Sequence, residues 1–223
     1  CGPRGCMALP DAFCWSRIGT ESGEQLGEII ARKEQERAGN NGVFLWGIGS
    51  AIGPSILELA RLDPQPQVLF SPIRSAPRST DVYPARIAVW LSAQALTGDY
   101  YDIPARSIVT SRFPEGARQA SHYALVCQSP RPLQFDKQGD LIEFHRLRNL
   151  RSNRPVGASQ VTAIVRLLDS GGLTEGIKYR AVVRATLVFP YLVRLQNPIE
   201  VPLELRHSTS NADDWGAELL RLA

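Results

Sequence analysis

GVFLWGIGSAIGPSI, residues 42–56, is an apolar run that ends in Trp46 and opens into a loop with glycines at 47, 49 and 53. A short apolar run bounded by glycines reads as a buried strand. A large aromatic at its exit offers a flat platform, and glycines just beyond it let a ligand approach the backbone closely. The segment is therefore the first candidate for function. Pro54 and Ser55 lead from the loop into ILELARL, a short amphipathic helix with proline in its first turn.

Outward from this strand and helix the pattern is mixed. Upstream, Phe13–Ile18 (FCWSRI) predicts a strand, and Ser22 with Gln25 three residues on has the spacing of a capping box. The helix that follows carries Leu26, Ile29 and Ile30 on its apolar face, while RKEQER reads as a solvated, charge-paired stretch ended by Gly39–Gly42. Downstream, VLFSPI (68–73) predicts a strand, and the proline-broken SAPRSTDVYPAR predicts a loop or edge. Further strands are expected at 87–91, 108–112, 123–127 and 161–167, with a short helix near 141–150. Residues 179–189, 191–195 and the segment IEVPLEL alternate like antiparallel strands, and 213–222 reads as a closing helix with acids at its N-terminal end. No repeat or low-complexity linker divides the chain. The fold class is α+β, with a curled or barrel-like mixed sheet flanked by helices.

At 223 residues, with 43% hydrophobic and 21% charged residues, the chain is of ordinary globular composition, and a single core is the simpler reading. The one methionine is Met7, so residues 1–6 read as an extension and 7–223 as one domain. No run approaches the ~20 consecutive apolar residues of a spanning helix. We expect no membrane partner and a cytoplasmic location. Of the four cysteines, Cys14 and Cys127 are expected to be reduced core thiols; no CxxC pair is present, so neither metal nor cofactor is expected.

Catalytic signatures are lacking. There are three histidines, no G-x-S-x-G elbow and no Gly-Lys-Ser/Thr loop, and no catalytic residue is assigned. Gly47, Gly49 and Gly53 form a relative of the dinucleotide fingerprint, which keeps open an enzyme binding a nucleotide cofactor there. Pro54 removes one donor from that helix start, and no acid ends the next strand.

What remains is aromatic plus arginine. Twenty-two of the 25 basic residues are arginine, whose planar fork suits phosphates and stacked bases, although a GC-rich genome produces the same bias. Trp15, Trp46 and Trp90 lie in or beside expected strands; a strand tryptophan is also ordinary core filling. Arg74, Arg78, Arg112, Arg146, Arg148, Arg151 and Arg154 are the candidate phosphate ligands. Gln160, with Asn149 or Asn153, has the amide that pairs with an adenine edge, or is simply solvated after the Pro155–Gly157 turn. An arginine surface that meets acidic proteins is a third reading.

The order FCWSRI, helix, GVFLWGIGS, helix, VLFSPIRS, then a mainly stranded remainder, resembles the PUA-like superfamily, including its EVE, YTH and ASCH branches. In YTH domains a strand of the form Gly-Ile-Trp-Cys-Ser supplies one wall of an aromatic cage, and Trp46 followed by Gly47 is similar. The resemblance implies a small barrel and a non-catalytic module that binds a modified or flipped nucleobase in DNA or RNA, serving a separate nuclease or methyltransferase. It implies Trp46 as one wall, Trp15 or Trp90 as a second, Gly47 and Gly49 admitting the base, and Ser50, Ser71 or Gln160 at its edge.

Overall fold

The computed structural model describes residues 9–19, 25–48, 52–73, 90–95, 100–104, 122–169, 176–196 and 206–208; for 90–95, 100–104, 122, 194–196 and 206–208 it describes the backbone alone. The order is β1 (Ala12–Ile18), α1 (Leu26–Gly39), β2 (Val43–Ile48), α2 (Gly53–Leu62), β3 (Gln67–Pro72), β4 (Trp90–Ala95), β5 (Tyr100–Pro104), β6 (His122–Gln128), β7 (Leu141–Glu143), β8 (Leu147–Asn149), β9 (Thr162–Leu167), β10 (Lys178–Arg180), β11 (Val183–Gln196) and β12 (Arg206–Ser208). Ten of the strands form one mixed sheet, and β7 pairs with β10 in a small second one. The fold is α+β. The expected barrel is corrected to a sheet that does not close among the described residues, with β2 and β8 as outer strands.

Two parallel pairings, β1 with β3 and β5 with β12, sit among otherwise antiparallel ones. The crossover from β1 to β3 contains α1, β2 and α2, yet β2 does not join that pair; it lies beside β6. β11 is the joint of the sheet. Its first residues pair with β3, its last with β4, and β6 runs along most of its length. Val188–Tyr191 stand opposite Val126 alone, so the strand bulges at Pro190, which has no N–H for the ladder.

Alternation in β1 sets the two sides of the core. Cys14 and Ile18 face a cluster with Phe44, Trp46, Val68, Phe70 and Leu125, closed by Ile29 and Ile30 of α1 and Ile56 and Leu59 of α2. Phe13 and Trp15 face the other way, into a cluster with Leu69, Ile142, Leu147, Val165 and Tyr179. Ile142, Phe144, Tyr179 and Ala181 pack over this second side. Cys14 and Cys127 are free thiols, and burial pushes both well above the usual thiol range.

Two expectations are overturned. The segment 141–150 is not a helix but two three-residue strands joined by a single 3₁₀ turn at Phe144–Arg146. Leu141, Phe144, Leu147 and Leu150 recur every third residue and imitate a helical face, but pairing with β9 and β10 satisfies the backbone instead. The charged stretch of α1 is not wholly solvated either. Lys33 is 3% exposed, and its ammonium donates to the Glu36 carboxylate at 2.8 Å and to the Leu45 carbonyl. Glu36 in turn accepts the Leu45 N–H at 2.6 Å. Leu45 lies on β2, whose outer side has no strand partner among the described residues, so the helix closes that edge with one buried ion pair. Helix α1 starts later than expected: Glu28 accepts the N–H of Gln25, at 2.7 Å, as in a capping box.

The expected extension (1–6), the strand at 108–112 and the closing helix at 213–222 lie outside the described residues. Among the described residues no helix is long and apolar enough to cross a membrane.

Candidate functional site

Trp46 is 9% exposed, and its ring packs on Phe70 with centroids 4.5 Å apart and planes tilted by 52°. The indole is chiefly a core residue with a small open margin, followed by half-buried Gly47. Gly49 and Ser50 lie outside the described residues, as do Arg74, Arg78 and Arg112, and of Trp90 only the backbone in β4 is described.

Trp15 does not join Trp46. In the parallel pair β1 and β3, Trp15 stands beside Leu69, whereas Phe70, which carries Trp46, stands beside Ser16 on the opposite face. Trp15 has no exposed surface. Its Nε1–H donates to the Ser71 hydroxyl at 3.1 Å, and its ring meets Tyr179 edge-on with centroids 5.1 Å apart. Burying an indole takes roughly 200 Å² from water, worth about 5 kcal/mol at most, and a hydrogen-bonded N–H removes the polar penalty. Trp15 and Ser71 thus complete each other inside the core, and neither presents a wall or an edge to a base.

Gln160 is likewise occupied. Its side-chain oxygen accepts the Gly157 N–H at 2.7 Å, and its amide nitrogen donates to Asn149 at 3.2 Å. Asn149 also donates to the carbonyls of Arg154 and Pro155, each at 3.3 Å. This amide pair shapes the loop between β8 and β9.

The arginines 146, 148, 151 and 154 follow one another along the 3₁₀ turn at Phe144–Arg146, outer strand β8 and the turn after it. Arg146 donates to the Leu168 carbonyl at 2.7 Å and to Glu143 at 3.3 Å; this contact, with that of Lys178, holds the Glu143 carboxyl below its usual range. Arg148 spends NH1 on the carbonyls of His145 and Leu147, at 2.7 and 3.0 Å. Arg151 approaches Glu58 of α2 at 3.6 Å, both side chains largely in water, and Arg154 is exposed.

Sequence reasoning missed two members. Arg166 on β9 stands directly opposite Arg148, a like-charge cross-strand pair that is unfavourable unless an anion sits nearby. Arg17 of β1, whose guanidinium lies over the Trp15 ring and bonds the Ala158 and Gln160 carbonyls of the loop between β8 and β9, is the second. For Arg166 the available signal was charge run-length: Phe144–Leu168 contains five arginines and no Asp or Glu in 25 residues; Arg17, far away in sequence, had none. Among the described residues Arg148, Arg154 and Arg166 have no carboxylate partner. The ion pairs of Arg146 and Arg151 are partly exposed and worth at most about 1 kcal/mol each.

The start of α2 is poorly furnished for a pyrophosphate. Pro54 has no N–H, and the amides of Ser55 and Ile56 already bond the Ile52 carbonyl at 3.1 and 3.0 Å. Nor is β2 next to β3, the adjacency that a dinucleotide-binding strand–helix–strand unit requires. Among the described residues no cluster of His, Cys, Asp and Glu has the composition of a metal site. In comparisons with known proteins, no family model, curated protein or solved structure matches the chain.

Proposed function

We propose that the protein is a non-catalytic nucleic-acid-binding module, with β8, its following turn and β9 as the surface that holds phosphates. The observation that carries this reading is the acid-free arginine segment folded onto one sheet edge, where Arg148 and Arg166 face each other and three of the five arginines have no carboxylate among the described residues. Nucleic-acid phosphates supply the missing anions, and arginine's fork binds them through paired N–H donors. The resemblance to PUA-like domains supports the same class of ligand.

Base discrimination is a second and separable part of the proposal. It rests on Trp46 and Gly47, because Trp15, Ser71 and Gln160 are engaged within the fold. An indole one-tenth exposed offers an edge rather than a full stacking face. A modified base is therefore expected to add discrimination, not most of the affinity.

The test is a titration of labelled single- and double-stranded DNA and RNA oligonucleotides between 50 and 200 mM salt, conditions chosen on the order of the range over which phosphate contacts are screened. Affinity should fall steeply with salt, and Arg148→Gln, Arg154→Gln and Arg166→Gln should each reduce the salt slope by about one, irrespective of sequence. Absence of binding at low salt, or preferential capture of acidic proteins, refutes the proposal. Trp46→Phe should leave the salt slope intact and change only the preference between methylated and unmodified bases.

A further inference from the structure

Arg17 is an unusual cation. It is 8% exposed, and its guanidinium lies 5.5 Å from the ring centre of Trp15 and 6.0 Å from that of Tyr179. One amino group, NH2, donates to the carbonyl of Ala158 at 2.7 Å and to that of Gln160. Nε is buried without a partner, and Nη1 bonds no described residue. Among the described residues no carboxylate pairs with Arg17.

A guanidinium keeps its charge at any physiological pH. Buried charges are ordinarily matched by an opposite charge, because carbonyl dipoles and ring faces compensate only part of the lost hydration. Here the cation is fixed by two carbonyls and two aromatic rings, with donors to spare and no anion among the described residues. Beside it the turn Gly157–Ser159 is exposed and carries no acid. Such a rigid, pre-oriented guanidinium loses little entropy when it takes up an oxyanion.

We propose that Arg17 and the Gly157–Gln160 turn form a phosphate subsite, in which NH1 and the positive field around it receive one phosphate group of the bound strand. The inference builds on the reading of the β8–β9 edge as a phosphate-binding surface and identifies a position within it that is buried and specific rather than exposed and general. The two are physically joined. The Gln160 carbonyl holds Arg17, while the Gln160 side chain holds Asn149 on β8, which in turn bonds the Arg154 carbonyl.

The test uses the full chain, with inorganic phosphate as the first probe. Thermal melting is followed as phosphate is added, against sodium chloride at matched ionic strength. Because phosphate raises the stability of many proteins by exclusion from their surface, the comparison between variants decides. Wild type should gain melting temperature, Arg17→Met should lose most of that gain, and Arg154→Gln should keep it. Equal gains in wild type and Arg17→Met, or none in wild type, overturn the subsite. Should Arg17→Met fail to fold, Arg17→Lys replaces it: a gain reduced by half or more supports the subsite, and an unchanged gain overturns it. The second probe is a labelled oligonucleotide, for which Arg17→Met should lower the salt slope by about one. Phosphate response through Arg17 with no oligonucleotide binding refutes the nucleic-acid reading alone. Oligonucleotide binding whose slope ignores Arg17→Met refutes the subsite alone.

Discussion

Replacing Lys33 by Met should be among the most damaging single changes in the chain. In the native fold the ammonium is enclosed, bonded to Glu36 and to the Leu45 carbonyl, while the other Glu36 oxygen holds the Leu45 N–H. Met restores most of the apolar volume but takes the ammonium away from a carboxylate whose side chain is 4% exposed. Removing one partner of a buried pair costs about 3–5 kcal/mol. That is a large share of the roughly 5–15 kcal/mol that holds a typical domain together. The double variant Lys33→Met/Glu36→Leu removes both charges together and leaves the two backbone groups of Leu45 to find water, at about 1–3 kcal/mol each. The double variant should therefore cost less than the two single changes combined, with a coupling of about 2 kcal/mol or more. Urea unfolding at pH 7 reads this as a lower midpoint at unchanged slope. The lysine adds a pH signature. Burial lowers its proton affinity, with Glu36 opposing, so between that lowered value and the ordinary lysine value the unfolded chain binds more protons than the folded one. Stability should thus rise with pH across that interval, and the rise should vanish in Lys33→Met. A cost below about 1 kcal/mol for Lys33→Met, or strict additivity in the double variant, would refute a charge pair closing the β2 edge.

Ser71→Ala strands the buried Trp15 N–H and should lower stability by about 1–3 kcal/mol in thermal unfolding, leaving any oligonucleotide affinity unaltered. Trp46→Ala should cost about 3–5 kcal/mol and Trp46→Phe much less, because the ring packs on Phe70; equal costs in denaturant titration would contradict a core role. The Glu34 carboxyl is held below its usual range, chiefly by its hydrogen bond from Arg37, so its contribution is present above the unfolded carboxyl value of about 4.3 and fades as pH falls through the lowered folded value. Acid titration of Glu34→Gln should accordingly show a shallower loss of stability than wild type.

The strands of the central sheet were legible because their signals are local. Alternation in Phe13–Ile18, the apolar run before Gly47 and the run Val68–Phe70 each carry their own period, and the observed strands cover them. The proline in the first turn of α2 was equally local. Strand order was not legible, since nothing in β1 or β3 states that they pair in parallel across a helix–strand–helix crossover. The same gap concealed which tryptophans share a face: Trp15 and Trp46 both look like strand aromatics, and only pairing sends one to each side of the sheet. Lys33 and Glu36, three apart on a helix, are indistinguishable in sequence from a solvated pair until β2 is laid alongside. In the arginine cluster, four members adjacent in the chain were visible, whereas Arg166 and Arg17 joined through pairing and through a loop carbonyl.

β11 begins only at Val183, yet β3, β4 and β6 all attach to it. Strands made early therefore have no common partner while the chain is still being synthesised. The nascent protein must carry β3, β4 and β6 unjoined until this later strand leaves the ribosome. Apolar strand edges stand open in the meantime, so chaperone binding and the pace of translation ahead of Val183 should influence yield more than the stability of the finished sheet does.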